Sequence, residues 1–445
     1  MGQHIPRCRN AGLNFSFRFF LEILPLISGM FRTLIFLLCL FSGLCQGQSP
    51  ALSLSEALHN AKQHNLFLKQ EQIRRSIGAV DLKKSKLYQN PIFNLQYLQL
   101  LPSSSQYSQG KSPLHPYNSQ DWFQFTKRFQ VFGQRTSRIS LAKLSTSIVE
   151  SEVQEATREV LFLVAMKWTD AWQALVAKNL AIKAADYLDV FMTQYDSAKA
   201  GPMKKDEKLR FDILDDHYDL QESQAEIEYS AILQELKLLM GTPQEIEVDL
   251  KDTLERVSFE NMTLDSLVNL ALTNRKDVKS LQEGLLQANQ NIVYQRSLAI
   301  PQPEGGFIWN PQNAIPYVGI YFTQPLPFFD RNHTEVQRAK LMANSSELAL
   351  EASLREVRAQ VVSAFSNYSQ KKTLVKRFYH NLADSDRLLK MIREESIKGK
   401  DPIVDIWEAE QTWFQTYTLY YDAFVDYRKS YISLLYQLNL LDEVQ

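Results

Sequence analysis

The sequence predicts an α+β membrane protein in which very long paired helices carry a few short strands, the whole built from two loose internal repeats. Three observations predict it. From Gln134 to Ala200 and from Arg331 to Lys398 no glycine or proline interrupts the chain, so each stretch can run as one helix of roughly 65 residues, about 100 Å at 1.5 Å per residue. Between the helical stretches lie segments whose apolar residues alternate with polar ones at a period of two, as in strands with one apolar face. The 445 residues hold only 15 Gly and 16 Pro, too few turns for a strand-rich sandwich or a multidomain α/β enzyme.

Residues 1–47 read as an upstream extension and a secretory signal. Arg32 supplies a positive start, Thr33 to Leu44 is almost wholly apolar, and Cys45-Gln46-Gly47 precedes a cut expected before Gln48. The apolar run is short for a bilayer span and has no basic stop-transfer flank. All three cysteines (Cys8, Cys39 and Cys45) fall in this segment, so the processed chain is expected to hold no disulfide, thiolate metal site or thiol nucleophile. Lipidation of Cys45 is the alternative, against which bulky Leu44 argues. Removal of the segment leaves 45 basic and 49 acidic side chains. That balance, with no long Lys/Arg block, gives nothing to neutralise a nucleic-acid backbone.

The two repeats open alike. Ser53-Leu54-Ser55-Glu56-Ala57-Leu58 is echoed 210 residues later by Thr263-Leu264-Asp265-Ser266-Leu267-Val268, each with a hydroxyl residue at the expected N-cap and an acid in the first turn. Each opening helix is expected to run to a break, at Asn90-Pro91 or at Pro301. Two strands follow, then a long helix, a turn at Gly201-Pro202 or Gly399, and a last helix. The first repeat is assigned to residues 48–240 and the second to 263–445, with 241–262 as a linking, equatorial segment. In the second long helix Leu354, Val361, Tyr368, Val375, Leu382 and Leu389 recur every seven residues, with Leu350, Val357, Ala364, Phe378 and Ile392 on the next row, a coiled-coil seam. The last helix carries Ile406, Trp413, Tyr420, Tyr427 and Leu434 on one row and Tyr417, Phe424, Tyr431 and Leu438 on another. Such a stripe reads as packing surface rather than a ligand box. None of these helices is expected to be apolar enough to cross a membrane.

The alternating segments are about 9–11 residues long, the length of a tilted transmembrane strand. Phe93, Leu95 and Tyr97 oppose Asn94 and Gln96, and Phe123, Phe125, Phe129 and Val131 oppose Gln124, Thr126, Arg128 and Gln130. The second pair comprises Gly306 to Pro311 and Tyr317 to Pro325, with Val318, Ile320 and Phe322 on one face. Trp122 and Trp309 are candidates for an aromatic girdle. Four strands cannot close a barrel, and open edges are not tolerated in hydrocarbon, so the chain is expected to oligomerise with copies side by side.

With these features the sequence resembles the TolC-like outer membrane efflux proteins over essentially the whole processed chain. The carriers are the two helix openings, the stretch Gln324-Pro325-Leu326-Pro327-Phe328-Phe329-Asp330-Arg331-Asn332, and Gly399 followed by Pro402-Ile403-Val404-Asp405-Ile406-Trp407-Glu408-Ala409-Glu410-Gln411. The resemblance implies a homotrimer in the outer membrane, each subunit giving four strands to one β-barrel that continues into a long periplasmic α-helical barrel. Its implied partners are a periplasmic adaptor and an inner membrane pump, its implied function the conduction of small molecules or metal cations, with no cofactor and no bond chemistry. The Pro-Leu-Pro-Phe-Phe-Asp-Arg-Asn stretch is most similar to the heavy-metal branch of the resistance-nodulation-division systems. The resemblance also implies a periplasmic gate of acidic residues after the second tip turn, at Asp405 and Glu408; Glu408 stands where the family more usually has aspartate. Their i, i+3 spacing places both on one helix face. The competing reading is that acids after Pro402 offset the helix dipole, with Asp401 as N-cap.

No P-loop, dinucleotide fingerprint or His-Glu-x-x-His helix is present. His59, His64, His115, His217, His333 and His380 are dispersed, and no metal site is expected. The alternatives are a secreted or periplasmic coiled-coil scaffold or adaptor, for which bilayer-length strands have no purpose, and the outer membrane conduit of a protein-secretion system.

Overall fold

The computed structural model describes residues 51–197, 203–252, 257–259, 262–311, 316–398 and 403–444. The signal segment with Cys45 and the tip residues Gly201, Pro202, Gly399, Asp401 and Pro402 lie outside the described residues. The chain divides into two compact units: residues 52–244 with 248–445, and residues 1–51 with 245–247, where only Ala51 and 245–247 are described. The elements that follow belong to the first unit.

In the first half these are α1 (Leu54–His64), α2 (Leu66–Lys86), β1 (Ile92–Gln99), β2 (Ser119–Arg128), α3 (Gln134–Ser197) and α4 (Lys205–Met240). The second half repeats the order with α5 (Leu264–Asn274), α6 (Lys276–Ser297), β3 (Glu304–Asn310), β4 (Tyr317–Thr323), α7 (His333–Ile397) and α8 (Ile403–Leu438). Ser53 opens α1 with a capping box: its Oγ accepts from Glu56 N at 3.2 Å, and the Glu56 carboxylate accepts from Ser53 N at 3.0 Å. Thr263 caps α5 by accepting from Ser266 N at 3.3 Å.

Each opening helix differs from expectation by being broken after eleven residues. Asn65 N still donates to Ala61 O, closing α1, while its Oδ1 accepts from Leu68 N at 3.0 Å and so starts α2. Arg275, at the equivalent place, closes α5 onto Ala271 O and begins α6. The breaks let the returning helices dock. Gly241, at the end of α4, has φ +70°, and a Cβ there would stand 2.4 Å from His64 O, so only glycine fits against the end of α1. At the end of α8, Asn439 adopts φ 57° and donates from Nδ2 to Asn274 O at 3.0 Å.

The long helices form as expected, 64 residues in α3 and 65 in α7, about 95–100 Å each. Along α7, Val357, Val361, Tyr368 and Leu389 are buried and Leu350, Leu354, Ala364, Val375, Phe378, Leu382 and Ile392 half-buried, packed chiefly on α8. The α8 stripe is core: Ile406, Trp413, Tyr427, Tyr431, Leu434 and Leu438 are buried. One expectation is corrected. Helix α3 does contain a stretch long and apolar enough to cross a bilayer, but 61% of it is buried. Val160, Leu161, Val164, Trp168 and Trp172 are in the core because α1, α4, α6 and α8 all pack on this helix.

The four strands form one antiparallel sheet in the order β1-β2-β3-β4. Strand β2, at 10 residues, has the expected length, while β1, β3 and β4 are shorter, at 8, 7 and 7 residues. Strand β2 ends at Arg128, ahead of Phe129 and Val131. Strand β4 ends at Thr323 because Pro325 has no N–H for the ladder; the Gln324 side chain instead donates to Pro301 O at 3.0 Å.

Candidate functional site

The register divides the sheet into two chemically distinct faces. Leu95, Phe123, Trp309 and Val318 form one cross-strand row, and Phe93, Phe125, Phe307 and Ile320 the next. These rows are largely exposed, with Val318 81% and Ile320 84% accessible. Phe123 stacks between Phe93 at 6.4 Å and Trp309 at 5.2 Å. The opposite face carries Asn94 beside Gln124, Gln96 beside Trp122, and Thr126 beside Gly306. Gly306 is required there, since a Cβ would meet Phe125 O at 2.0 Å. The two girdle candidates, Trp122 and Trp309, fall on opposite faces of the sheet. Trp122 is an even-numbered residue of β2 and faces the polar side, its Nε1 donating to Gln120 Oε1 at 3.4 Å, whereas Trp309 stands on the apolar side. Strands β1 and β4 are the two edges, and neither has a further strand beside it among the described residues.

At the far end of the long helices, Asp405 and Glu408 lie together on the exposed side of α8, within its first turns. Neither makes an ion pair or hydrogen bond among the described residues. The opposite side of α8 is closed by Ile406, Ala409, Glu410 and Trp413, all buried. The expected tip turns at Gly201, Pro202, Gly399 and Pro402 lie outside the described residues.

A polar network links the helices just behind this surface. Glu410 is fully buried and pairs with Arg393 of α7, whose Nε donates to Glu410 Oε1 at 2.9 Å, while Arg393 Nη2 also donates to Tyr187 O of α3 at 3.1 Å. Burial pushes the Glu410 carboxyl above the usual carboxylate range, against the pull of Arg393. Asp386 accepts from Trp413 Nε1 at 2.7 Å and from Tyr417 OH at 3.0 Å. Near the helix breaks, Arg275 clamps Asp277 through Nε at 3.1 Å and Nη2 at 2.6 Å, and its Nη1 donates to Gln360 of α7 and Gln437 of α8. Burial opposes ionisation of Asp277, but the hydrogen bonds and charge of Arg275 outweigh it and hold the carboxyl below its ordinary value. Arg428 is buried with its guanidinium 4.2 Å from the Trp172 ring, and burial lowers it to about 10. Among the described residues no cluster of three or more His, Cys, Asp or Glu is arranged to hold a metal ion.

Residues 267–438, from α5 through α8 with β3 and β4, match the family model of the outer membrane efflux proteins. Over that stretch the chain is similar to the outer membrane efflux proteins. The resemblance read from the helix openings and the Gln324–Asn332 stretch is therefore borne out. Among solved structures, the chain is similar to the open-state MtrE outer membrane channel of Neisseria gonorrhoeae, with 15% identity, TM-score 0.70, and 88% of this chain and 91% of that one covered. The CmeC outer membrane channel of Campylobacter jejuni matches at 14% identity and TM-score 0.67, over 98% of this chain and 94% of that one. The outer membrane protein VceC of Vibrio cholerae matches at 11% and 0.66, over 86% and 95%. At these identities the likeness is one of fold. No curated protein matches the chain.

Two features of the protein escape a reading of its sequence. The Arg393–Glu410 pair joins residues 17 apart in the sequence, one on α7 and one on α8, and the hint is a Glu within an otherwise buried helix row. The Arg275 clamp is marked only by the repeat, since it occupies the position of Asn65.

Proposed function

We propose that the chain is the outer membrane channel of a tripartite efflux system and that it works as a homotrimer. Each copy contributes its four strands to one outer membrane barrel, and the long helices continue as a tube through the periplasm. The observation that carries the reading is the open sheet: both edges are unpaired among the described residues and the central rows of one face are exposed and apolar, a combination compatible with lipid only once the edges are closed. The polar face, with Asn94, Gln96 and Gln124, then lines water. Repeats 48–240 and 263–445, joined by 241–262, supply equivalent helix pairs to the tube. The partners are a periplasmic adaptor and an inner membrane pump that provides the energy, and the processed chain follows from removal of residues 1–47.

Asp405 and Glu408 are the proposed periplasmic gate, supported by their exposure on one side of α8 and by the absence of a cation partner within the described residues. Three copies of each around a narrow axis would attract cations. Metal cations or other small molecules are the cargo class, the heavy-metal branch being favoured by the Pro325–Asn332 stretch. Trp309 remains the girdle residue on the apolar face. In planar bilayers the purified protein should form pores, and Asp405→Asn with Glu408→Gln should lower cation selectivity while leaving the assembly intact. A protein that inserts but never conducts contradicts the channel reading; unchanged selectivity in the double variant removes the gate.

A further inference from the structure

The rim of the sheet nearest the helices carries a charge cluster that neither conduction nor packing uses. Lys127, opposite Gly305, stands on the same face as Phe123, Phe125 and Phe307, so it is a cation at the margin of an apolar surface. Its Nζ lies 5.3 Å from the centre of the Tyr88 ring, and the Arg135 guanidinium lies 4.3 Å from the same ring. Arg135 in turn donates to Lys86 O at 2.7 Å, which brings Lys86, Tyr88, Lys127 and Arg135 together. Lys83 and Lys84 precede them in the last turn of α2. Lys83, Lys84, Lys86 and Lys127 have no carboxylate partner among the described residues.

Last-turn lysines ordinarily offset a helix dipole. Here the terminal carbonyls of α2 are already taken by Arg135 and by Arg138, which donates to Leu87 O at 2.9 Å, and Lys127 comes from a strand. The side chains beside the cluster are apolar and exposed: Tyr88 is 67% and Phe129 48% accessible. A long cationic side chain at the end of a lipid-facing row can bury its stem and extend its head to the level of phosphates.

We infer that this cluster is a collar binding anionic phospholipid headgroups in the leaflet on the helix side of the barrel, with Tyr88 and Phe129 at the acyl boundary. Clustered Lys and Arg at a membrane surface attract acidic lipids additively and within a Debye length. The inference rests on the barrel reading proposed above.

The test measures the preference of spin-labelled phosphatidylglycerol over phosphatidylcholine for the protein boundary, using the full protein inserted in phosphatidylcholine vesicles. The wild type should prefer phosphatidylglycerol by roughly fivefold or more at low salt, and the preference should fall as salt is added. Lys83→Gln with Lys86→Gln and Lys127→Gln should bring it close to one, whereas the same three changes to Arg should retain it; Arg135 is kept because it caps α2. Insertion and conduction without any preference, or a preference unchanged in the Gln variant, would overturn the collar alone. Displacement of the labelled lipid by millimolar inorganic phosphate would identify a free-anion site and overturn it equally. Failure to insert at all would overturn the barrel reading, and the collar with it.

Discussion

Single residues decide how the helices of this protein are held together. Asp277 is held below its ordinary range by Arg275, so its contribution is fully present above the usual carboxylate values and is lost as pH falls through the depressed folded value. Asp277→Asn should therefore destabilise by about 3 kcal/mol near neutral pH and flatten the acid side of the stability profile, which thermal unfolding across pH 3–7 would check. The Arg393–Glu410 pair behaves differently because Glu410 is fully buried with Oε2 unpartnered. Arg393→Met alone should cost about 3–5 kcal/mol by stranding a carboxylate, and Arg393→Met with Glu410→Met should recover most of it. A double-variant loss equal to the single one would show that the pair contributes by its net charge attraction rather than by mutual neutralisation. At this scale strand parity is legible in the sequence: simple alternation puts Trp122 on the face of Gln124, while the strand register, which the sequence does not show, puts Trp309 on the other face.

Among elements, the long helices were legible because a run without Gly or Pro has only one economical conformation, and the α7 seam because heptad spacing survives coiling. The breaks at Asn65 and Arg275 were hidden inside helical periodicity; only their common offset between repeats marks them. Whether the apolar part of α3 was core or membrane span depended on neighbours brought from 100 or more residues away, among them α6 and α8. The break at Asn65 is maintained by its cap to Leu68 N and by Nδ2 donating to Leu239 O at 2.7 Å. Asn65→Ala should lower thermal stability by about 1–2 kcal/mol, while Asn65→Asp, which keeps the cap, should cost less. Equal losses would mean that the Leu239 contact, and not the cap, maintains the break.

At the scale of the whole molecule, the proposed trimer is tested by the open sheet and the two long helix pairs. An apolar face with residues such as Val318 and Ile320 more than 80% exposed is unfavourable in water, and unpaired edges at β1 and β4 are unfavourable in lipid. Closure by a ring of copies, as proposed above, answers both, and residues 267–438 are similar to the outer membrane efflux proteins. The most direct measurement is the mass of the detergent-extracted protein by light scattering with the detergent contribution subtracted. Three copies per particle is the expected result; a stable, well-folded monomer would contradict the shared barrel.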